Sequence, residues 1–381
     1  MTTMKGVESA AIFKQAGGPE PIRQRFEAWR DLSRPAFGWI CTYVPEEILY
    51  AAGVTPVRVM GEGASGKNAT AYLYVTTCSF ALACLELGLD GEYDFLQGLV
   101  TVNACDPVRR LFDLWQLYLN TPFTHLLSLP RKLSANAHDF FYLEVVKFKR
   151  ALEDFLGREI AGDSLKEAIR LYNRSRTLLK ELYGLKKGGP PRVSDAECLE
   201  ILRASMVMPR ERFNDLLEGF LREAASRTPD PRRRPRLLLC GSLLDNLTFV
   251  RMIEELGGSV VADELCTGSR YFWDLVEEGE DPLASLARRY LSHSPCARMR
   301  PIEHRFNHIA QLVQEYQVEG AISQSLKFCD IYGHSKPRLR EELNRLGIPV
   351  LEIDLEYDLS GLGQIRTRIQ SFIEMLEGKR G

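Results

Sequence analysis

No stretch of this sequence is long and apolar enough to suggest a membrane span, which needs about 18 uninterrupted apolar residues. The opening residues, Met1 to Glu8, lack an apolar centre, so no secretion signal is read there. Charge of one sign is also missing. The formal net charge is -2, so no global field draws the chain toward nucleic acid or an anionic membrane. The one basic run, Arg232-Arg233-Arg234 with Arg236, sits among prolines and reads as a solvated linker. Histidines number only six and form no HExxH motif, which leaves a zinc hydrolase unsupported. No short repeat or low-complexity tract is visible. These absences point to a cytoplasmic protein with neither a nucleic-acid nor a membrane partner.

What the sequence does have is cysteine, nine of them in 381 residues. Disulfides are rare in a reducing cytosol, the count is odd, and a chain of this length needs no covalent staples. The cysteines are therefore buried hydrophobes, metal ligands or reactive groups.

The length exceeds one ordinary core and predicts two to three domains. Residues 1–35 read as an amphipathic helical segment, with Ile22, Phe26, Trp29 and Leu32 spaced three or four apart. Residues 36–135 alternate strand and helix signals. Strands are expected over 37–44, 57–60, 96–102 and 125–129, with helices from Pro45, over 76–88 and over 107–119. Residues 136–228 carry long helical periodicities and read as a helical bridge, broken at Pro190-Pro191. A proline-rich linker, 228–235, follows. The alternation restarts over 236–381, with strands expected at 236–240, 258–263, 320–328 and 349–354. The fold class is α/β: two flavodoxin-like or Rossmann-like parallel-sheet domains with a helical insert between them. Both halves place a Cys-Asp pair directly after a strand, which suggests an old duplication.

In open parallel sheets, ligands collect beyond the carboxyl ends of the strands. Cys41, Cys105 and Cys329 are expected at such ends. Cys266 follows another strand, and Cys78 falls near a helix start, where a thiolate gains from the helix dipole. Cys84, Cys198 and Cys240 sit inside predicted helices or a strand and read as packing. Spacing alone does not establish a metal site, because a free cysteine is most often an inert core residue. Glu46 and Glu47 are the acids nearest the expected site. Either they move a proton or bind metal there, or they only favour the start of a helix. Arg109 and Arg110 read as a solvated helix face, or as contacts to a phosphate group or a partner surface. The loop Gly61-Glu-Gly-Ala-Ser-Gly-Lys67 nearly fits a phosphate-binding loop, but Asn68 stands where a magnesium-ligating hydroxyl is required. ATP binding is therefore not expected there.

Several segments resemble the subunits of 2-hydroxyacyl-CoA dehydratases and benzoyl-CoA reductases. They are Tyr43-Val-Pro-Glu-Glu-Ile-Leu-Tyr-Ala-Ala-Gly53, Cys78 with Leu89-Asp-Gly, and Cys105-Asp-Pro-Val-Arg-Arg110. Gly320-Ala-Ile-Ser-Gln-Ser-Leu-Lys-Phe-Cys-Asp330 and Gly347-Ile-Pro-Val-Leu-Glu-Ile-Asp354 follow in order. The resemblance runs from about residue 36 to the C-terminus. It implies an oxygen-sensitive [4Fe-4S] cluster held by Cys78, Cys105 and Cys329, leaving one iron open. It also implies radical dehydration or reduction of an acyl-CoA thioester, a paralogous second subunit, and a separate ATP-hydrolysing iron–sulfur activator. Three further segments, Trp39-Ile-Cys-Thr-Tyr, Cys266-Thr-Gly-Ser-Arg and Ser294-Pro-Cys-Ala-Arg, resemble a sister branch, the double-cubane cluster proteins. That resemblance implies that Cys41, Cys266 and Cys296 join the first three in holding an [8Fe-9S] centre in a homodimer that reduces small molecules. A third reading is an electron-relay subunit without catalysis of its own.

Overall fold

The computed structural model describes residues 2–31, 33–359 and 361–378; Leu32, grouped above with the first amphipathic face, lies outside them. The chain opens with α1 (Thr2–Ala16) and α2 (Ile22–Glu27). The first α/β unit runs β1 (Ala36–Ile40), α3 (Glu46–Ala51), β2 (Thr55–Arg58), α4 (Ser79–Leu89), β3 (Leu96–Val102), α5 (Asp106–Tyr118) and β4 (Phe123–Leu127). Four helices follow: α6 (Ala135–Leu156), α7 (Gly162–Gly184), α8 (Asp195–Ala204) and α9 (Arg210–Ala225). The second unit begins with β5 (Arg236–Gly241), α10 (Leu247–Glu255), β6 (Ser259–Glu264), α11 (Ser269–Phe272) and α12 (Pro282–Ser292). It ends with α13 (Glu303–Glu315), β7 (Gly320–Leu326), α14 (Asp330–Arg345), β8 (Val350–Leu355) and α15 (Leu362–Gly378).

Each unit holds a four-stranded, all-parallel sheet, ordered β2-β1-β3-β4 and β6-β5-β7-β8. The two orders correspond strand for strand, so β1 matches β5 and β3 matches β7. The central strands explain the sheet type. Leu237-Leu-Leu-Cys240 and Leu99-Val-Thr-Val102 are buried throughout, the pattern of strands covered on both faces rather than alternating ones. The α1 helix packs on α8 and α9 of the helical bridge, and α7 of the bridge lies against α3. Ser194 begins α8 with a capping box closed by Glu197, which satisfies two donors at the helix start. No described helix is long and apolar enough to cross a membrane.

The first strand is shorter than the sequence predicts. It stops at Ile40, because Cys41 turns to a φ of +80°, a left-handed backbone that cannot continue a strand. The expected 57–60 strand is shifted to Thr55–Arg58, and the expected 125–129 strand to Phe123–Leu127. α11 and α12 occupy a stretch to which no element was assigned from sequence.

A cleft ringed by six thiols

The carboxyl ends of both sheets face one apolar cleft. Its wall carries Cys41, Cys78, Cys105, Cys266, Cys296 and Cys329. Three come from each α/β half. Cys105 and Cys329 occupy matched positions: each precedes an Asp at the start of a helix, α5 or α14, just beyond a matched strand. Cys78 immediately precedes α4. Cys84, Cys198 and Cys240 are buried elsewhere and do not line the cleft.

By their strongest mutual influence the thiols divide into two groups, although Cys105 also feels Cys41 and Cys296 of the second. Cys329 shares a hydrogen bond with Cys78, which raises its pKa ahead of burial, and Cys105 feels Cys329 more than any other thiol. Cys41 in turn feels Cys296 and Cys266. Burial pushes Cys41 up to about 11 and Cys105 up to about 12, and it raises Cys296 too. Desolvation thus keeps these thiols protonated until a bound cation displaces the proton. Among the described residues, no three His, Cys, Asp or Glu side chains converge closely enough for a single metal ion. All six thiols nevertheless line the same cleft, a donor set that suits a polynuclear iron–sulfur cluster.

A second layer, not anticipated from sequence, supports the sulfurs. Arg58 donates to the Cys266 carbonyl at 2.8 Å and to Cys266 Sγ at 3.5 Å. The Tyr332 hydroxyl donates to Cys296 Sγ at 3.5 Å, and the Tyr43 hydroxyl accepts from the Cys296 amide at 3.2 Å. Such outer contacts fix the orientation of metal ligands. Arg270 and Arg298 also line the cleft. Arg270 Nε and both Nε and Nη1 of Arg298 are buried without a hydrogen-bond partner. Orphaned buried guanidinium donors beside six thiols fit an anionic, sulfur-rich group. The one available sequence signal was spacing: Arg270 and Arg298 stand four and two residues after Cys266 and Cys296.

Glu46 and Glu47 do not line the cleft. Both are fully buried in ion pairs, Glu46 with Arg210 at 3.2 Å and Glu47 with Arg176 at 2.5 Å. Tyr290 adds a 2.7 Å hydrogen bond to Glu47. Burial alone would raise Glu47, but Arg176 and Arg289 outweigh it and hold the carboxyl below its usual range. Arg109 and Arg110 are exposed, and Arg110 pairs with Asp106 and Asp113 of its own helix. The near phosphate loop is filled from within the chain. Glu86 takes the amides of Gly66 and Asn68, donors that a phosphate would otherwise use. His304 and His308 stand one turn apart on α13, outside the cleft; His308 packs edge-on against Trp273.

A two-domain parallel α/β subunit with a thiol-lined interdomain cleft is the class these features define. The family profile described as "2-hydroxyglutaryl-CoA dehydratase, D-component" matches residues 41–376. The chain therefore belongs to the family of 2-hydroxyacyl-CoA dehydratase and benzoyl-CoA reductase subunits. It is 26% identical to a benzoyl-CoA reductase subunit of Thauera aromatica, with 91% of this chain and 92% of the relative covered. It is 25% identical to the (R)-phenyllactyl-CoA dehydratase beta subunit of Clostridium sporogenes, over 90% and 91%. It is 26% identical to the beta subunit of (R)-2-hydroxyglutaryl-CoA dehydratase from Acidaminococcus fermentans, over 95% and 97%.

Proposed function

We propose that the chain is an iron–sulfur subunit of a low-potential reductive enzyme, and that all six cleft thiols hold its centre as two three-thiolate cubanes, an [8Fe-9S] arrangement. The observation that carries this is the convergence of Cys41, Cys266 and Cys296 on the same cleft as Cys78, Cys105 and Cys329. A family member holding one [4Fe-4S] cluster through the latter three has no need of three further thiols there. Bound in the cleft, such a centre would supply single electrons at low potential to a small substrate. The chain's own groups do the rest. Burial excludes water, Arg58 and Tyr332 orient two of the sulfurs, and the orphaned guanidinium donors would pair with the anionic group.

A second reading keeps Cys78, Cys105 and Cys329 as the only ligands of a [4Fe-4S] cluster and an acyl-CoA thioester as the substrate. The names of the relatives and the Cys78–Cys329 hydrogen bond favour it. Under either reading the electron comes from a separate ATP-hydrolysing iron–sulfur activator. The partner is a second copy under the first reading and a paralogous subunit under the second. Anaerobic purification with iron counting separates them: about eight irons per chain are expected for six thiolates, against about four for three. Cys266→Ser and Cys296→Ser should each strip iron under the first reading and leave the count unchanged under the second. A colourless, iron-free preparation from cells with intact cluster assembly defeats both.

A further inference from the structure

The walls of the cleft are unequally charged. Arg58, Arg270 and Arg298 line the cleft and are buried, at 1%, 2% and 6% exposure, and Arg305, outside the lining, is buried at 0%. The one buried carboxylate they share is Glu264. Arg305 takes both of its oxygens, at 3.0 and 2.9 Å, and leaves Arg270 a longer 3.4 Å contact. Among the described residues, neither Arg58 nor Arg298 has a carboxylate partner. Arg58 lies over the Trp39 ring at 4.9 Å, and Arg298 makes a 3.4 Å contact with the Asn103 carbonyl. Four cations against one anion leave three positive charges unanswered, and buried charge of this kind requires a counter-charge. One cubane with three thiolates carries a single formal negative charge, whereas two cubanes joined by sulfide and held by six thiolates carry about four. The cationic excess matches the larger group.

Its placement is also one-sided. Arg58 contacts Cys266, Arg298 stands two residues after Cys296, and Arg270 hydrogen-bonds Tyr332, which donates to Cys296. The other thiol group is followed instead by two exposed acids, Asp330 and Asp106, the latter paired with Arg110 of its own helix. We infer that the guanidiniums make the Cys41/Cys266/Cys296 half of the centre the easier half to reduce, with Arg298 as the positioning residue whose free Nε and Nη1 donate to its sulfur atoms. A nearby cation stabilises the more negative, reduced state, so it raises the potential of that half. The first electron therefore rests on the guanidinium side, and the other half is left for the second. This rests on the six-thiolate reading above.

The test is a redox titration of the anaerobic, iron-loaded protein, followed by electron paramagnetic resonance, in Arg298→Met and Arg298→Lys. Arg298→Met should retain the wild-type iron count while its first reduction step moves to more negative potential. Arg298→Lys, which keeps the charge, should lie between the two. Loss of iron in Arg298→Met but not in Arg298→Lys overturns the inference, because the charge then retains the centre rather than setting the potential of one half. A first step unmoved in a fully loaded Arg298→Met overturns it, as does equal iron loss in both variants, which marks a packing role. A wild type with about four irons and one reduction step overturns the inference but leaves an iron–sulfur subunit standing. A wild type without iron defeats the underlying reading instead.

Discussion

Glu264 shows at single-residue scale how the cleft wall is held. Burial pushes its carboxyl up, but Arg270 and Arg305 outweigh that and hold it below the usual carboxylate range. A carboxyl whose folded pKa lies below its unfolded value stabilises the fold above the unfolded pKa, about 4.3, and that contribution is lost as pH falls through the folded value. Glu264→Gln keeps the shape and removes the charge, stranding two buried guanidiniums. It should destabilise the protein by about 3–5 kcal/mol at neutral pH. The deficit should shrink only at a more acid pH, about 3 or below, as pH falls toward the depressed folded value and the wild type begins to lose the same interaction. Urea unfolding at both pH values measures it; an equal deficit at both would exclude the ion-pair origin. Glu47→Ala should behave similarly, costing about 3–5 kcal/mol by stranding Arg176. It should nevertheless leave the iron count of the folded protein unchanged, because Glu47 lies outside the cleft. Iron loss from folded Glu47→Ala would contradict this placement. Sequence brought Glu46 and Glu47 to the right helix start. It could not show their pairing, because Arg176 and Arg210 reach them from α7 and α9 of the helical bridge.

Among the elements, the ends of the strands do the aiming. Cys41 at φ +80° and Phe328 at φ +61°, directly before Cys329, are non-glycine residues in the left-handed region. A side chain there costs of order 1–3 kcal/mol and persists only where surrounding structure enforces it. Cys41→Gly should therefore be more stable than Cys41→Ala by about 1 kcal/mol, although both lack the thiol. Equal denaturation midpoints would show that the turn carries no strain. Gly241 closes β5 at φ +136°, and a Cβ there would stand 1.8 Å from the Gln324 carbonyl oxygen of β7. Since the obstacle is backbone, Gly241→Ala should cost about 3 kcal/mol, read as a drop in Tm of the iron-free protein. An unchanged Tm would show that the two strands can separate to admit a methyl group. Element type was legible because buried parallel strands are near-continuous apolar runs: Leu237 to Cys240 and Leu99 to Val102 announce themselves. Strand ends were less legible. Nothing in Trp39-Ile-Cys-Thr-Tyr marks the turn at Cys41, since a positive φ at cysteine has no propensity signal. The cationic wall was hidden for a related reason. Arg58 ends a strand and Arg270 sits in a single helical turn, and only the closing of two units over one cleft makes neighbours of them.

For the whole molecule, the decisive feature is that each thiol group crosses between the halves. Cys78 and Cys105 of the first unit meet Cys329 of the second, while Cys41 of the first meets Cys266 and Cys296 of the second. A centre bound by either group therefore ties the two units together, and binding that exists only in the folded state adds to its stability. The second unit is also joined, apart from the cleft, to the helical bridge and to the first unit. Asn173 of α7 exchanges hydrogen bonds with the Val276 backbone at 2.7 and 2.9 Å, and Tyr357 reaches the Gly61 amide at 3.2 Å. Iron removal should thus loosen the cleft without unfolding either sheet. Hydrogen exchange on loaded and anaerobically chelated protein tests this directly. Peptides around residues 41–44, 78–82, 105–108, 266–270, 296–299 and 329–332 should gain exchange together on chelation. The central strands β3 and β7, buried along nearly all of their length, should stay protected. Increased exchange confined to residues 78–82, 105–108 and 329–332 would limit the ligands to three thiols, and an unchanged pattern would mean that no metal bridges the units.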